Sequence, residues 1–171
     1  MASIFGHGLV AYTTSKVIDS RSSKLLLLLA IISAIIPDID VLAFNFRIPY
    51  SHPFGHRGFT HSILFAIIWS ASLALYFGKN RKLIFSIVIF LSTISHGILD
   101  AMTNGGKGVG FFIPFDNTRY FFSFREIIVS PIGVENFFSE WGMHVIISEL
   151  KYIAVPCLIL LAVIFYVKNR N

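Results

Sequence analysis

The sequence predicts an all-α, multi-pass membrane bundle of about four to five helices. Three observations predict it. Hydrophobic residues make up 55% of the 171-residue chain and charged residues only 13%, where an ordinary soluble domain is roughly 25% charged. That leaves too little polar surface to cover a soluble core. Uncharged apolar segments of helical length recur along the chain, "ILFAIIWSASLALYF" being the plainest. Short clusters of Lys and Arg separate these segments, as the positive-inside bias produces. The length fits one integral-membrane domain, residues 1–171, better than two.

The first helix is expected over residues 4–18. It is semi-polar and weak as a span on its own. The second begins at Lys24, and its apolar run over residues 25–36 is shorter than the ~20 residues a perpendicular span needs. Pro37 is expected to stop it, so it reads as a short span or as the partner of the first helix. The third is expected over residues 61–77, with Thr60 as its cap. The fourth covers residues 83–100 and the last residues 152–167. Between them, residues 101–141 form a long loop rich in Gly and Phe. Such loops are usually functional or disordered, and the aromatics and prolines of this one argue against disorder.

Alternating helices place Lys16, Arg21 and Lys24, then Lys79, Arg81 and Lys82, then Lys168 and Arg170 on one side, which the positive-inside rule makes cytoplasmic. The same alternation gathers His7, Asp38, Asp40, His52, His56, His61, His96 and Asp100 at the opposite, extracytoplasmic end. The basic end keeps Asp19 and no histidine. Arg47, Arg57, Lys107, Arg119 and Arg125 share the ligand-rich end and weaken the charge asymmetry.

In "SHGILD", His96 and Asp100 are four apart and share a helix face. Imidazole nitrogen and carboxylate oxygen suit Zn²⁺, although a carboxylate orienting a histidine gives the same spacing. In "IIPDID", Asp38 and Asp40 fit a turn or cap, but aspartate at membrane depth is expensive and calls for a partner. In "GHRGFTHS", His56 and His61 are five apart and do not share a regular helical face. Gly55 and Gly58 permit close backbone approach, and Arg57 offers a planar fork for phosphate or carboxylate. The bland reading of this stretch is an interfacial polar turn. His7 alone reads as a partly buried histidine, and His144, beside Trp141, as part of an interfacial belt. Taken together, these groups predict a metal site at one end of the bundle. Six or seven candidate ligands exceed what one zinc needs, which implies two ions or one ion with supporting residues.

The composition excludes other classes. The +5 formal charge lies in juxtamembrane clusters, so no nucleic-acid partner is expected. Cys157, the single cysteine, cannot form an internal disulfide. The first residues lack a basic region ahead of an apolar core, and no cleavable signal peptide is expected.

The order His7, then "PDID", then "GHRGFTHS", then "HGILD", followed by "PFDNTRYFFSF", resembles the YdjM-like family of inner-membrane, predicted metal-dependent hydrolases, also called the domain of unknown function 457 family. The resemblance covers residues 7–133. That family is distantly similar to zinc-dependent phospholipase C and P1-type nucleases. It implies a central zinc site of Asp38, His61, His96 and Asp100, with Asp100 bridging to a second metal held by His7. Asp40 and His56 complete either shell. No histidine follows Asp100 until His144, which argues against a third metal; Glu126 and Glu135 are the acidic candidates there.

The implied activity is hydrolysis of a phosphoester or phospholipid-type substrate by metal-activated water in the inner membrane. Asp40 would orient or deprotonate the water, and Arg57 and Arg119 would steady the phosphate. Membrane lipids are the expected partners, met through Phe111, Phe112, Phe121 and Phe122. The rival readings are a metal-ion or proton transporter and a non-catalytic membrane protein. A transport path should string polar groups through the membrane, whereas the middle of the third helix offers only Ser70 and Ser72.

Overall fold

The computed structural model describes residues 1–131 and 137–170. Within them, five helical rods form the bundle: α1 (Ile4–Ile18), α2 (Lys24–Ile35), α3 (Ile63–Phe77), α4 (Lys82–Ala101), and α5 (Glu140–Glu149) running into α6 (Val155–Arg170). Three of the rods open on a serine. Ser3, Ser23 and Ser62 each accept a hydrogen bond from a backbone N–H in the first turn of the helix they precede, which satisfies a donor that the helix itself leaves unpaired.

The packing follows from where the small residues fall. α2 buries Leu26, Ala30, Ser33 and Ala34, and α3 buries Ala66, Ser70 and Ala74. A four-residue repeat keeps these side chains on one helix face, and small side chains let backbones approach where lipid provides no hydrophobic drive between helices. α2 packs on α1 and α4, and α3 packs on α4; Trp69 Nε1 reaches from α3 to donate to Ser33 Oγ on α2 at 3.0 Å. The large apolar residues point outward: Leu75 is 68% exposed and Leu158 56%. This is a soluble protein turned inside out, as a bilayer requires. Among the described residues, three stretches are long and apolar enough to cross a membrane, Lys24–Phe46, Lys79–Ala101 and Glu140–Arg170. α3, at 15 residues, extends only about 22 Å at 1.5 Å per residue, short of a hydrocarbon core of about 30 Å.

Three boundaries differ from the sequence reading. Pro37 does not end the second rod. The chain continues as a 3-10 helix over Ile36–Phe46 with the proline in its first turn, where a missing N–H costs nothing. α3 starts at Ile63 behind Ser62, two residues later than expected, and Thr60 is not its cap. The last rod starts at Glu140 rather than at residue 152. The polar residues Glu140, His144, Ser148, Glu149 and Lys151 dilute its apolar signal there, and a π-helical turn, Leu150–Ala154, interrupts it. The expected 101–141 loop is therefore shorter at its C-terminal end. Residues 102–131 are irregular, tied by isolated bridges between Thr103 and Ile127 and between Val109 and Tyr120.

Candidate metal centre

The site is built where the 3-10 extension of α2, the turn before α3 and the last turns of α4 meet. Residues two apart in a helix of three residues per turn point about 240° apart. Asp38 therefore turns toward α4, and Asp40 toward the 56–61 turn. That turn is tightly folded. A Cβ on Gly55 would lie 2.3 Å from the Pro49 carbonyl oxygen, and one on Gly58 2.2 Å from that of Pro53. Any larger residue at either position would push the turn open.

Asp38, His61, His96 and Asp100 each offer one ligand atom to a common point, all within 4.8 Å of one another. His96 Nε2 lies 3.3 Å from Asp38 Oδ1 and 3.9 Å from Asp100 Oδ2. His61 Nε2 lies 3.8 Å from Asp38 Oδ1 and 3.7 Å from Asp100 Oδ2. Four ligands at zinc distances form a tetrahedron with edges of about 3.4 Å, so these separations fit one ion with small adjustments.

The outer nitrogens of both rings are already committed. His96 Nδ1 lies 2.7 Å from the Ala34 carbonyl oxygen, which can only accept, so Nδ1 carries the proton. His61 Nδ1 lies 3.1 Å from Asp40 Oδ2. Each ring therefore presents Nε2 inward, the arrangement by which metal-binding histidines are oriented. His61 Nε2, His96 Nε2 and Asp38 Oδ1 are buried without a hydrogen-bond partner. Buried polar atoms are rarely left so.

Asp40 is the hub of the supporting layer. Its Oδ1 lies 2.7 Å from His56 Nδ1. Its Oδ2 accepts from the Arg57 backbone N–H at 2.9 Å and from the Thr60 hydroxyl at 2.7 Å. Both oxygens of Asp40 are engaged by the protein, so Asp40 holds the turn and His61 in place, where the sequence reading gave it the task of orienting a water. His56 points to Asp40. It belongs with Asp38 and Asp40 to a second potential ligand group and not to the four-residue one. Burial pushes the His61 pKa down, but the Asp100 and Asp40 carboxylates beside the ring outweigh it and raise it to about 9.

Arg57 is also recast. It is 1% exposed, and its Nε lies 2.9 Å from Asp100 Oδ2. Its Nη1 reaches the Gly105 carbonyl at 3.1 Å and its Nη2 the Thr103 hydroxyl at 3.3 Å. Arg57 thus neutralises the buried Asp100 carboxylate and fastens the 103–105 loop, and it presents no free fork to a phosphate. Arg119 is likewise spent on the carbonyls of His56, Arg57, Tyr50 and His52.

His7 stacks on His96, ring centroids 3.9 Å apart, and its Nε2 lies 3.5 Å from Asp100 Oδ1. It faces the opposite oxygen of the carboxylate shared with the four-residue group. Glu126 is exposed, and Glu135 lies outside the described residues. Sequence reasoning missed Ala2, whose N–H donates to Asp100 Oδ1 at 3.0 Å, and Glu149, which binds Ser3. A carboxylate inside an apolar helix was the signal available for Glu149.

The model of the YdjM inner membrane protein family matches residues 1–171. Over 156 residues the chain is 39% identical to inner membrane protein YbcI of Escherichia coli (strain K12), an alignment covering 89% of this chain and 87% of YbcI. No solved structure matches it significantly. An apolar helical bundle whose match runs from the first residue to the last thus has its place: the chain belongs to the YdjM family of inner membrane proteins.

Proposed function

We propose that this chain is a membrane-embedded, metal-dependent hydrolase whose divalent ion, zinc for preference, is held by Asp38, His61, His96 and Asp100. The observation that carries this reading is the set of inward-facing ligand atoms, buried and unpartnered, on rings whose other nitrogens are already fixed. Asp38 is the one member of the set with a partly exposed side chain, at 14%, against 0% for the other three. Substrate therefore enters on the Asp38 side. Bound there, a divalent ion supplies Lewis acidity and a water of lowered pKa, which hydrolysis at neutral pH requires. The chain's own residues hold His61 and His96 in one tautomer, balance Asp100 with Arg57 and exclude bulk water. His7, on the other oxygen of Asp100, is the seat for a second ion.

The substrate class we favour is a phosphoester or phospholipid-type ester, the class that the sequence resemblance implies. Exposed Phe112 and Phe122 put apolar side chains at the same end as the site, where a lipid would arrive. The extracytoplasmic side is the better placement for it. Asp19 and Arg81 pair at 2.8 Å and join the basic turns at the far end. At the site end Arg57, Arg119 and Arg125 bond to the protein itself, and Arg47 and Lys107 are exposed. A second reading rests on ligand number: four protein ligands with little exposure is also the pattern of a closed, structural zinc site.

Elemental analysis of the detergent-purified protein tests the reading. About one to two zinc ions per chain are expected, lost in His96→Ala and in Asp38→Asn. No bound metal, and no uptake when zinc is added, overturns it. Metal with no hydrolysis of any phospholipid or phosphoester offered moves the assignment to the structural site. Uptake should also depend on pH. His61 is protonated below about 9 in the metal-free protein, so binding displaces a proton, and apparent affinity should rise about tenfold per pH unit from 7 to 9. A flat profile in a chelator-competition titration contradicts this.

A further inference from the structure

Glu149 lies in a helix otherwise suited to lipid, and it is 7% exposed. A carboxylate so placed needs a partner. Its partners are not on its own helix. One carboxylate oxygen accepts the Ser3 backbone N–H and the other the Ser3 hydroxyl. The first turn of α1 can come this close because residue 6 is glycine. A Cβ there would sit 3.1 Å from Ile153 Cδ1 and 3.2 Å from Glu149 Cδ. The π-helical turn begins at the very next residue, Leu150, and such turns are frequent at functional positions.

Residues 1–3 form a strap with three anchors. The Met1 carbonyl accepts from Ser130 N–H at 2.8 Å. Ala2 N–H donates to Asp100 Oδ1 at 3.0 Å. Ser3 is gripped by Glu149. The N–H groups of Ala2 and Ser3 are adjacent on the backbone, so two carboxylates from different helices clasp one dipeptide from opposite sides. We infer that Glu149 is a positioning residue for the metal centre: by fixing Ser3 it fixes the Ala2 N–H on Asp100 Oδ1, which sets the rotation of that carboxylate and presents Oδ2 to the ion. It touches neither ion nor substrate. The assignment rests on the four-residue site proposed above.

Zinc affinity by chelator competition and the visible spectrum of the Co²⁺-loaded protein test it, in detergent-solubilised full-length wild type, Glu149→Gln and Ile153→Ala. Ile153 packs on the same glycine and shares an apolar cluster with Ala2, but its side chain anchors none of the strap's hydrogen bonds, so Ile153→Ala controls for loss of helix packing. Glu149→Gln should bind zinc about 10–100-fold more weakly, the scale of lost outer-layer support, and should shift the Co²⁺ bands. Ile153→Ala should do neither. Wild-type affinity and spectrum in Glu149→Gln overturn the assignment and leave the metal site standing. So does an equal affinity loss in Ile153→Ala with an unshifted spectrum in both. A wild type that takes up neither zinc nor cobalt overturns both readings at once.

Discussion

Stripped of metal, the Arg57→Met variant should be less stable than wild type by about 3–5 kcal/mol, the cost of removing one partner of a buried ion pair. Asp100 is completely buried. Its cationic neighbours are Arg57 Nε at 2.9 Å and the Met1 amino group at 3.9 Å, with His7 and His61 contributing charge only when protonated. Methionine keeps most of the volume and none of the charge, so the buried Asp100 would keep only the more distant Met1 amino group and His61 as cationic neighbours. The loss of the bonds to Thr103 and Gly105 adds to the effect by freeing the loop. Two further measurements separate charge from packing. Adding Asp100→Asn should recover much of the loss, because the uncompensated charge is gone and neighbouring residues couple strongly. Adding zinc should rescue Arg57→Met more than it helps wild type, because the ion takes over the neutralising role. Thermal unfolding in detergent, with and without chelator, reads all of these. If chelated Arg57→Met melts with wild type, Arg57 is not what makes the buried carboxylate tolerable.

Asp40→Asn should weaken zinc binding about 10–100-fold without removing a ligand of the four-residue site. The asparagine can still accept one hydrogen bond, but it no longer offers the charge that His56 and His61 share. Two consequences follow with different signatures. The His61 ring loses the partner that turns Nε2 inward, and affinity falls at every pH. Asp40 is also one of the two carboxylates that raise the His61 pKa to about 9, so in Asp40→Asn the ring deprotonates at lower pH. The pH at which zinc affinity levels off should then drop below about 9. The same linkage makes metal-free wild type lose, as pH climbs from the ordinary histidine value of 6.5 through about 9, the stability that protonated His61 contributes below that range. Unchanged affinity and an unchanged pH profile in Asp40→Asn would remove Asp40 from the supporting layer.

Much of the scaffold was legible from residues alone. Apolar stretches between basic turns marked the rods, because a continuous apolar run without the alternation of barrel strands satisfies its backbone polar groups in lipid as helix. Helix order then carried the histidines and aspartates to one end. The spacing of His96 and Asp100 put both on one face, and the structure gives them to one cluster, with His96 Nε2 and Asp100 Oδ2 3.9 Å apart. The boundaries were less legible. Pro37 reads as a stop in an α-helix and as an acceptable first-turn residue in a 3-10 helix, and no local pattern distinguishes the two. The start of the last rod was hidden because Glu149 and its polar neighbours lower hydropathy in the very turns that reach the strap.

The sequence by itself determined which residue types are available, that they lie on apolar helices, and that the chain belongs in a membrane. Tertiary structure alone decided what each does. Asp38 and Asp40 are near neighbours in the chain, yet one faces the ligand cluster and the other supports it, because a three-residue turn points them apart. Arg57 and Arg119 carry the forks a phosphate would want, but carboxylate and carbonyl groups from distant segments have already taken them. His7 is unremarkable within its own helix, and Glu149 shows there only as a carboxylate in need of a partner; both acquire meaning where those helices pack beside Asp100 and Ser3. A hydrogen bond in a dry interior is set by where other chain segments end up, and that information is long-range, which composition and spacing do not carry.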